Sequence, residues 1–140
     1  IRNVLYGVFG FWIAGLSSNF LTRAETPVDK PSYDVRKAGS LNVPVLRRGQ
    51  LQGYIVIQLS YAVDRTTHDV DHASVESLLH DEAFRALYSD QKIDWRTLET
   101  YDLNALTRKL RDRVRSRVSS EAIRDILISD FNFIPASSSR

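Results

Sequence analysis

The chain has 140 residues, 43% of them hydrophobic and 26% charged, a composition that fits one compact domain with an appendage and excludes disorder throughout. Its formal net charge of +2 is too small to require a nucleic-acid partner. Because the chain has no cysteine, it has no disulfides, thiolate metal ligands or cysteine nucleophiles.

The N-terminus is strongly apolar. Residues 4–21 carry no charge and lie between Arg2 and Arg23. As a helix this segment would rise about 27 Å, close to the roughly 30 Å hydrocarbon core of a bilayer. We therefore predict a transmembrane anchor over residues 1–21. The alternatives are a cleaved secretory signal peptide and a segment buried in the soluble fold.

Small residues would share one face of the anchor helix and would allow a second helix to approach closely: Gly7, Gly10 and Ala14. The basic residues that follow the apolar run favour a cytoplasmic C-terminal domain. Since the sequence begins at Ile1, we expect residues upstream of it, and their charges could reverse that orientation.

Residues 22–40 are polar and contain two prolines, which predicts a linker. A short edge strand is predicted at 41–46 and a longer strand at 51–63, joined by turn residues as a hairpin. The apolar residues of the longer strand alternate on one face: Ile55, Ile57, Leu59, Tyr61 and Val63.

Two helices and a strand follow. Ser74 is predicted to cap a helix that ends near residue 88, and Asp102 to cap a helix over 103–118. Between them, Asp94 should start a short turn that packs Trp95 and Leu98. The helix over 103–118 has one apolar stripe: Leu103, Leu106, Leu110, Val114 and Val118.

The last strand is predicted over 122–134, ended by Pro135, with a disordered tail at 136–140. Strict alternation would place Leu127, Ser129, Phe131 and Phe133 on one face, and Ile126, Ile128 and Asp130 on the other. The predicted fold class is α+β: a soluble domain over 41–135 in which a small antiparallel-rich sheet is packed by two helices.

No residue pattern points to an enzyme, a cofactor or a metal site. The cluster from His68 to His72 contains two histidines and two aspartates, but a polar loop offers no fixed scaffold for zinc. The chain has neither a nucleophile elbow nor a phosphate-binding glycine loop. We therefore predict a protein without catalytic residues, metal or cofactor.

The helix over 103–118 concentrates basic residues, and one face carries Arg108, Arg111 and Arg115. This face could bind an acidic protein surface, anionic lipid or nucleic-acid phosphate, or it could be solvated. Because no row of base-stacking aromatic residues accompanies it, we predict a partner-binding face without nucleic acid.

Three segments resemble the FliL family of flagellar basal-body-associated membrane proteins: the strand segment 53–59, the helix 103–118 and the terminal strand 123–131. The resemblance implies a single-pass protein of the bacterial inner membrane with a periplasmic domain of stomatin-like type. It also implies self-assembly and contact with the flagellar stator or basal body in motility. The alternative function is a small secreted or periplasmic binding module released by signal cleavage.

Overall fold

The computed structural model describes residues 32–90, 92–118 and 120–137. The described elements, in chain order, are strands β1 (Tyr33–Arg47) and β2 (Gln50–Asp64), helix α1 (His72–Tyr88), a 3-10 helix (Leu98–Thr100), helix α2 (Leu103–Val118) and strand β3 (Ile123–Pro135). The strands form one antiparallel sheet in the order β1-β2-β3. The predicted α+β class, with a small antiparallel sheet and two helices, is confirmed.

The core lies between the helices and one face of the sheet. Helix α1 packs on β1 and on α2, and α2 packs on β3, so that β2 runs beneath both helices. The predicted inward face of β2 is confirmed, because its apolar residues are at most 5% exposed: Ile55, Ile57, Leu59, Tyr61 and Val63. The opposite face of the sheet is called the outer face below.

Strand β1 begins at Tyr33, so residues 33–40 are strand although the sequence placed them in the linker. Tyr33 pairs with Asp64 at the far end of β2, which makes a long hairpin. The unpaired residue Ala38 interrupts the ladder, and its carbonyl oxygen accepts a hydrogen bond from His80 Nε2 at 2.6 Å. The exposed polar side chains of an edge strand resemble those of a linker in composition, which explains the difference.

The predicted turn between the first two strands is confirmed. Arg48 and Gly49 have φ angles of 52° and 75°. Two positive φ values in a two-residue loop are typical of the type I′ turn, which matches the twist of an antiparallel hairpin. Position 49 has the residue that such a turn favours, whereas Arg48 is a rare choice there.

The predicted faces of β3 are corrected by a bulge. Gln58 pairs with Asp130 and Leu59 with Ile128, so Ser129 is an extra residue without a partner on β2. A bulge shifts the alternation by one residue. Ile126 and Ile128 therefore face the helices together with Phe131 and Phe133, while Leu127 is 38% exposed on the outer face.

Of the two helices, only α2 begins with the predicted capping residue. Asp102 caps α2, since its Oδ1 accepts a hydrogen bond from the Ala105 amide at 2.9 Å. Helix α1 is capped by Asp71 rather than by Ser74, because the Asp71 carboxylate accepts bonds from the Ser74 amide and hydroxyl at 3.4 and 2.6 Å. Because the capping residue Asp71 precedes Ser74 in the chain, α1 begins at His72.

The predicted anchor over residues 1–21, with Gly7, Gly10 and Ala14, lies outside the described residues. Within the described ranges, no helix has the length and apolar character needed to cross a membrane. At the other end, Pro135 belongs to β3, and the next amide, of Ala136, donates to the Gln52 carbonyl oxygen at 2.9 Å. The strand thus ends at Pro135, the residue predicted to stop it.

Candidate interaction site

The predicted basic face of α2 contains one arginine with a clear structural role. The Arg115 guanidinium donates to the backbone carbonyl oxygen of Ile123, which fastens α2 to the start of β3. Arg111 pairs with its neighbour Asp112 at 3.1 Å. Arg108 is exposed. The three side chains therefore have different surroundings, and a role in partner binding stays a prediction for them.

A second set of arginines joins the two helices. Glu82 on α1 has a side chain only 5% exposed, and its carboxylate pairs with Arg117 at 3.0 Å and Arg113 at 3.4 Å. Arg117 also pairs with Asp81 at 3.1 Å. The hydrogen bonds to Glu82 and then to Asp81 raise the pKa of Arg117 above its ordinary value. This network uses basic residues of α2 within the fold.

The residues of the cluster from His68 to His72 have different structural roles. Asp71 caps α1, and His72 Nδ1 lies 2.8 Å from the hydroxyl of Tyr61 in a shared hydrogen bond. Burial raises the pKa of Tyr61. His68 is exposed. Among residues 32–90, 92–118 and 120–137, no three His, Asp or Glu side chains are placed to hold one metal ion.

Two stacked aromatic pairs lie along the C-terminal half of β3. Trp95 stacks on Phe133 with ring centroids 4.7 Å apart, and Tyr101 stacks on Phe131 at 5.5 Å. Aromatic pairs in such offset geometries contribute about 0.5–1.5 kcal/mol beyond their buried area. The segment between α1 and α2 is therefore held against β3 by two side chains rather than by strand pairing.

Polar contacts fix the orientation of these aromatic rings. The Tyr101 hydroxyl donates to Asp90 Oδ2 at 3.0 Å. Burial, together with this hydrogen bond, raises the pKa of Tyr101 to about 12. The Arg96 guanidinium lies over the Trp95 ring, 4.9 Å from its centroid.

These aromatic residues border a groove of about 360 Å³ at the edge of the sheet. Three consecutive residues of β3 line it, namely Phe131, Asn132 and Phe133. Since successive side chains of a strand point to opposite faces, three in a row reach one groove only along the edge of the strand. Within the described residues β3 pairs with β2 alone, so this edge has unpaired backbone groups beside an aromatic groove.

The two outer edges of the sheet differ in their protection against further pairing. Strand β1 carries Arg36, Lys37 and Pro44 and has a bulge at Ala38. Charged residues, proline and bulges are the features that block strand addition. Strand β3 also has a bulge, at Ser129, and a proline, Pro135, but the segment between them, 130–134, has neither feature and only one charged residue. We therefore take this segment, called the β3 edge below, as the candidate site.

The sequence predicted some residues of this site but not that they lie together at the edge of the sheet. It placed Phe131 and Phe133 on one face and gave Trp95 a packing role, and both agree with the structure. It did not single out Tyr101. It also did not predict that both aromatic pairs lie beside an open edge of the sheet. A signal was present in the sequence: the last strand has two aromatic residues, and the polar segment between the helices has two more. These four residues could have been expected to pack together.

Comparison with protein families, with curated protein sequences and with solved structures finds no match to this chain.

Proposed function

We propose that this chain is a membrane-anchored accessory protein that acts by binding rather than by catalysis, and that its β3 edge joins it to a second copy of itself. The β3 edge is the observation that supports the proposal: a strand that pairs on one side only among the described residues, beside a groove lined by Trp95, Tyr101 and the two phenylalanines. The membrane anchor comes from the apolar sequence of residues 4–21.

Strand addition explains how such an edge would bind. Backbone hydrogen bonds to an added strand supply affinity, and side-chain grooves beside the edge supply specificity. A tether confines the copies to a plane and raises their effective concentration, so that a weak edge contact suffices. The small-residue face of the predicted anchor, formed by Gly7, Gly10 and Ala14, would add a second self-contact in lipid.

The resemblance to the FliL family extends the proposal to the bacterial flagellar motor. In that form, assembled copies in the inner membrane would contact stator or basal-body proteins, with a periplasmic domain of stomatin-like type. This extension rests on the sequence segments 53–59, 103–118 and 123–131. A gene located within a flagellar operon, and a loss of swimming on its deletion, are the expected results.

Cysteine cross-linking tests the self-assembly directly, because the native chain contains no cysteine. Single cysteines would replace Asp130, Asn132 and Ile134 in the full chain reconstituted in membranes. In an antiparallel pair of β3 edges, residues that face each other have Cα atoms about 4.5–5.5 Å apart, within the range of a disulfide. Only the residue on the two-fold axis of such a pair faces its own copy, so the variants are oxidised both singly and as mixtures of two. We expect one of these combinations to form a cross-linked dimer efficiently under mild oxidation.

The matched control is a set of exposed positions on α2, with cysteine at Asn104, Lys109 and Ser116. These variants measure random collision in the same membrane. Equal cross-linking in both sets, or none in the β3 set, would contradict assembly through the β3 edge.

A further inference from the structure

The tip of the β1–β2 hairpin carries an exposed apolar patch on the outer face of the sheet. Leu46 pairs with Leu51, and Tyr54 pairs with Ile134 across the next strand. These four side chains are 50%, 41%, 40% and 54% exposed, respectively. We call them, with the turn residues Arg47 and Arg48, the tip patch.

A bulge places both leucines on the same face. Val45 pairs with Gly53 and Leu46 with Leu51, so Gln52 is an extra residue in β2. Without it, alternation from the buried Ile55 would turn Leu51 toward the helices. Bulges re-aim side chains in this way, and here the result is a larger exposed apolar surface.

Two arginines lie beside the leucines at the turn. Arg47 and Arg48 are exposed. Among residues 32–90, 92–118 and 120–137, no acidic side chain forms an ion pair with either of them. Arg48 has a φ of 52°, a left-handed conformation that glycine or asparagine adopts more easily. The strained position thus holds a charge rather than the residue that the turn favours.

The adjoining cleft has a small excess of basic residues. It measures about 590 Å³, and its lining includes Arg47, Lys92 and Arg96. Two acidic residues line it as well: Asp90 accepts from the Tyr101 hydroxyl at 3.0 Å, and the exposed Asp94 accepts from the Arg96 amide at 3.0 Å. The basic residues of the lining exceed the acidic ones by one. The tip end of the domain therefore combines aliphatic side chains with positive charge.

We propose that the tip patch docks on the surface of a bilayer containing anionic lipid. Leu46 and Leu51 enter the boundary between headgroups and acyl chains, Arg47 and Arg48 bind lipid phosphates, and Tyr54 lies at the headgroup level. The complementary charge selects this occupant, since aliphatic side chains beside unpaired cations fit an apolar layer bordered by phosphates. The residues that carry this inference, the two leucines and the two arginines, lie outside the β3 edge.

A fluorescent probe at the turn tests the proposal with the full chain. Gln50→Cys gives a single labelling site, because the native chain has no cysteine. The labelled protein is placed with vesicles of phosphatidylcholine alone, or of phosphatidylcholine with phosphatidylglycerol, each containing a spin-labelled quencher lipid. We expect a blue shift and quenching only with phosphatidylglycerol, as the tip enters about 5–10 Å into the interface.

A probe at Ser116→Cys, on the exposed surface of α2, is the positional control and should show neither change. It reports whether the apolar N-terminus alone brings the domain into contact with lipid. A quenched Ser116 probe, or an unquenched tip probe in phosphatidylglycerol, would overturn the proposal. The second result would also be expected if the tip bound a protein instead.

Charge variants separate specific docking from general attraction. Arg47→Gln with Arg48→Gln should lower the equilibrium constant for tip burial about 30-fold, since each basic residue near an anionic surface contributes about a factor of five. Arg85→Gln with Lys109→Gln removes the same charge from exposed positions of the two helices and should leave this constant unchanged. Equal losses in the two pairs would contradict docking through the tip. Leu46→Ser with Leu51→Ser should abolish quenching, and its retention would exclude insertion.

Discussion

Glu82 shows how a single residue can be compatible with the core only through its partners. Its carboxylate is buried, whereas the paired side chains of Arg113 and Arg117 remain 56% and 45% exposed. A buried charge loses its hydration whether or not it is paired, so the arginines mainly offset that loss. Removing the arginines and removing the glutamate are therefore different perturbations.

We expect the double variant Arg113→Ala with Arg117→Ala to lower the free energy of unfolding by about 3–5 kcal/mol, because it leaves the Glu82 charge buried without a partner. Glu82→Leu should cost far less, since the two arginines can turn to solvent. Urea unfolding followed by circular dichroism measures both.

The control for this pair is Arg108→Ala with Lys109→Ala on the exposed surface of the same helix, which should be nearly neutral. If Glu82→Leu were as costly as the double arginine variant, pairing itself would be the stabilising term and our interpretation would be wrong.

Because of Asp64, we expect the stability of the fold to decrease in acid. Hydrogen bonds from the amide and hydroxyl of Thr66, and then from Arg124, lower the pKa of Asp64 from 3.8 to about 2. The unfolded chain therefore binds a proton at Asp64 at a higher pH than the folded chain does. This stabilisation is fully present above about pH 4 and is lost as the pH falls toward 2.

The measurement is a comparison of wild type with Asp64→Asn in urea unfolding at several pH values. Their difference in stability should shrink between about pH 4 and pH 2, the range between the unfolded and folded pKa values. A difference that stayed constant across that range would show that the Asp64 charge does not contribute as proposed.

Strand β3 shows what an element adds to its residues. Its sequence has apolar residues at 126 and 128 and again at 131 and 133, two sets of opposite parity. A regular strand would send one set to solvent, but the bulge at Ser129 turns both toward the helices. The bulge thus lets one strand pack four large side chains against the core, with Ile126 buried and the other three partly buried.

Deletion tests this role of Ser129. Without it, Ile128 and Asp130 become consecutive and still pair with Leu59 and Gln58, so we expect the fold and a cooperative unfolding transition to survive. Deletion of Leu127 should instead abolish cooperative unfolding. It moves Ile126 to the outer face and brings Asp125 into the core.

Thermal unfolding and the dispersion of NMR amide signals would compare the two deletions. Loss of the fold on deletion of Ser129 would mean that the bulged residue itself is required, for the twist of the sheet or for a contact, rather than for parity alone.

At the scale of the whole molecule, the proposal joins an apolar N-terminal segment to a domain with two candidate contact surfaces. The β3 edge has unpaired backbone groups, and the tip patch has exposed leucines beside arginines. They meet at Ile134, which belongs to both, but the leucines and arginines of the tip patch lie at the hairpin turn, outside residues 130–134. Each surface can therefore be altered at residues that the other does not contain.

Carbonate extraction tests the tether. We expect the full chain to remain in the membrane pellet, and the variant Val8→Asp with Ile13→Asp to appear in the supernatant, since a carboxylate at the centre of a membrane helix costs about 2.5–3.5 kcal/mol. Thr22→Asp, just beyond the uncharged run, is the matched control and should stay in the pellet.

The mass of the extracted chain distinguishes the alternative. A wild-type chain shortened at its N-terminus and found in the supernatant would identify a cleaved signal peptide. The protein would then be a released binding module.

Elements that depend on local pattern could be predicted from the order of residues alone. Period-2 alternation identified the inward face of β2, the apolar stripe identified α2, and the residues Arg47 to Gln50 identified the turn. These features follow from side-chain geometry along one strand or helix, which neighbouring residues in the chain specify. Parts of the candidate site were predictable for the same reason, including the shared face of Phe131 and Phe133.

The positions where the alternation breaks, and the residues that the loops cover, depend on packing between distant segments. The bulges at Ala38, Gln52 and Ser129 arise from pairing between strands, so no single segment encodes them. The same holds for the stacking of Trp95 and Tyr101 on β3, and for the arginines that compensate Glu82. Each depends on contacts between residues far apart in sequence, and those contacts form only when the helices and sheet pack together.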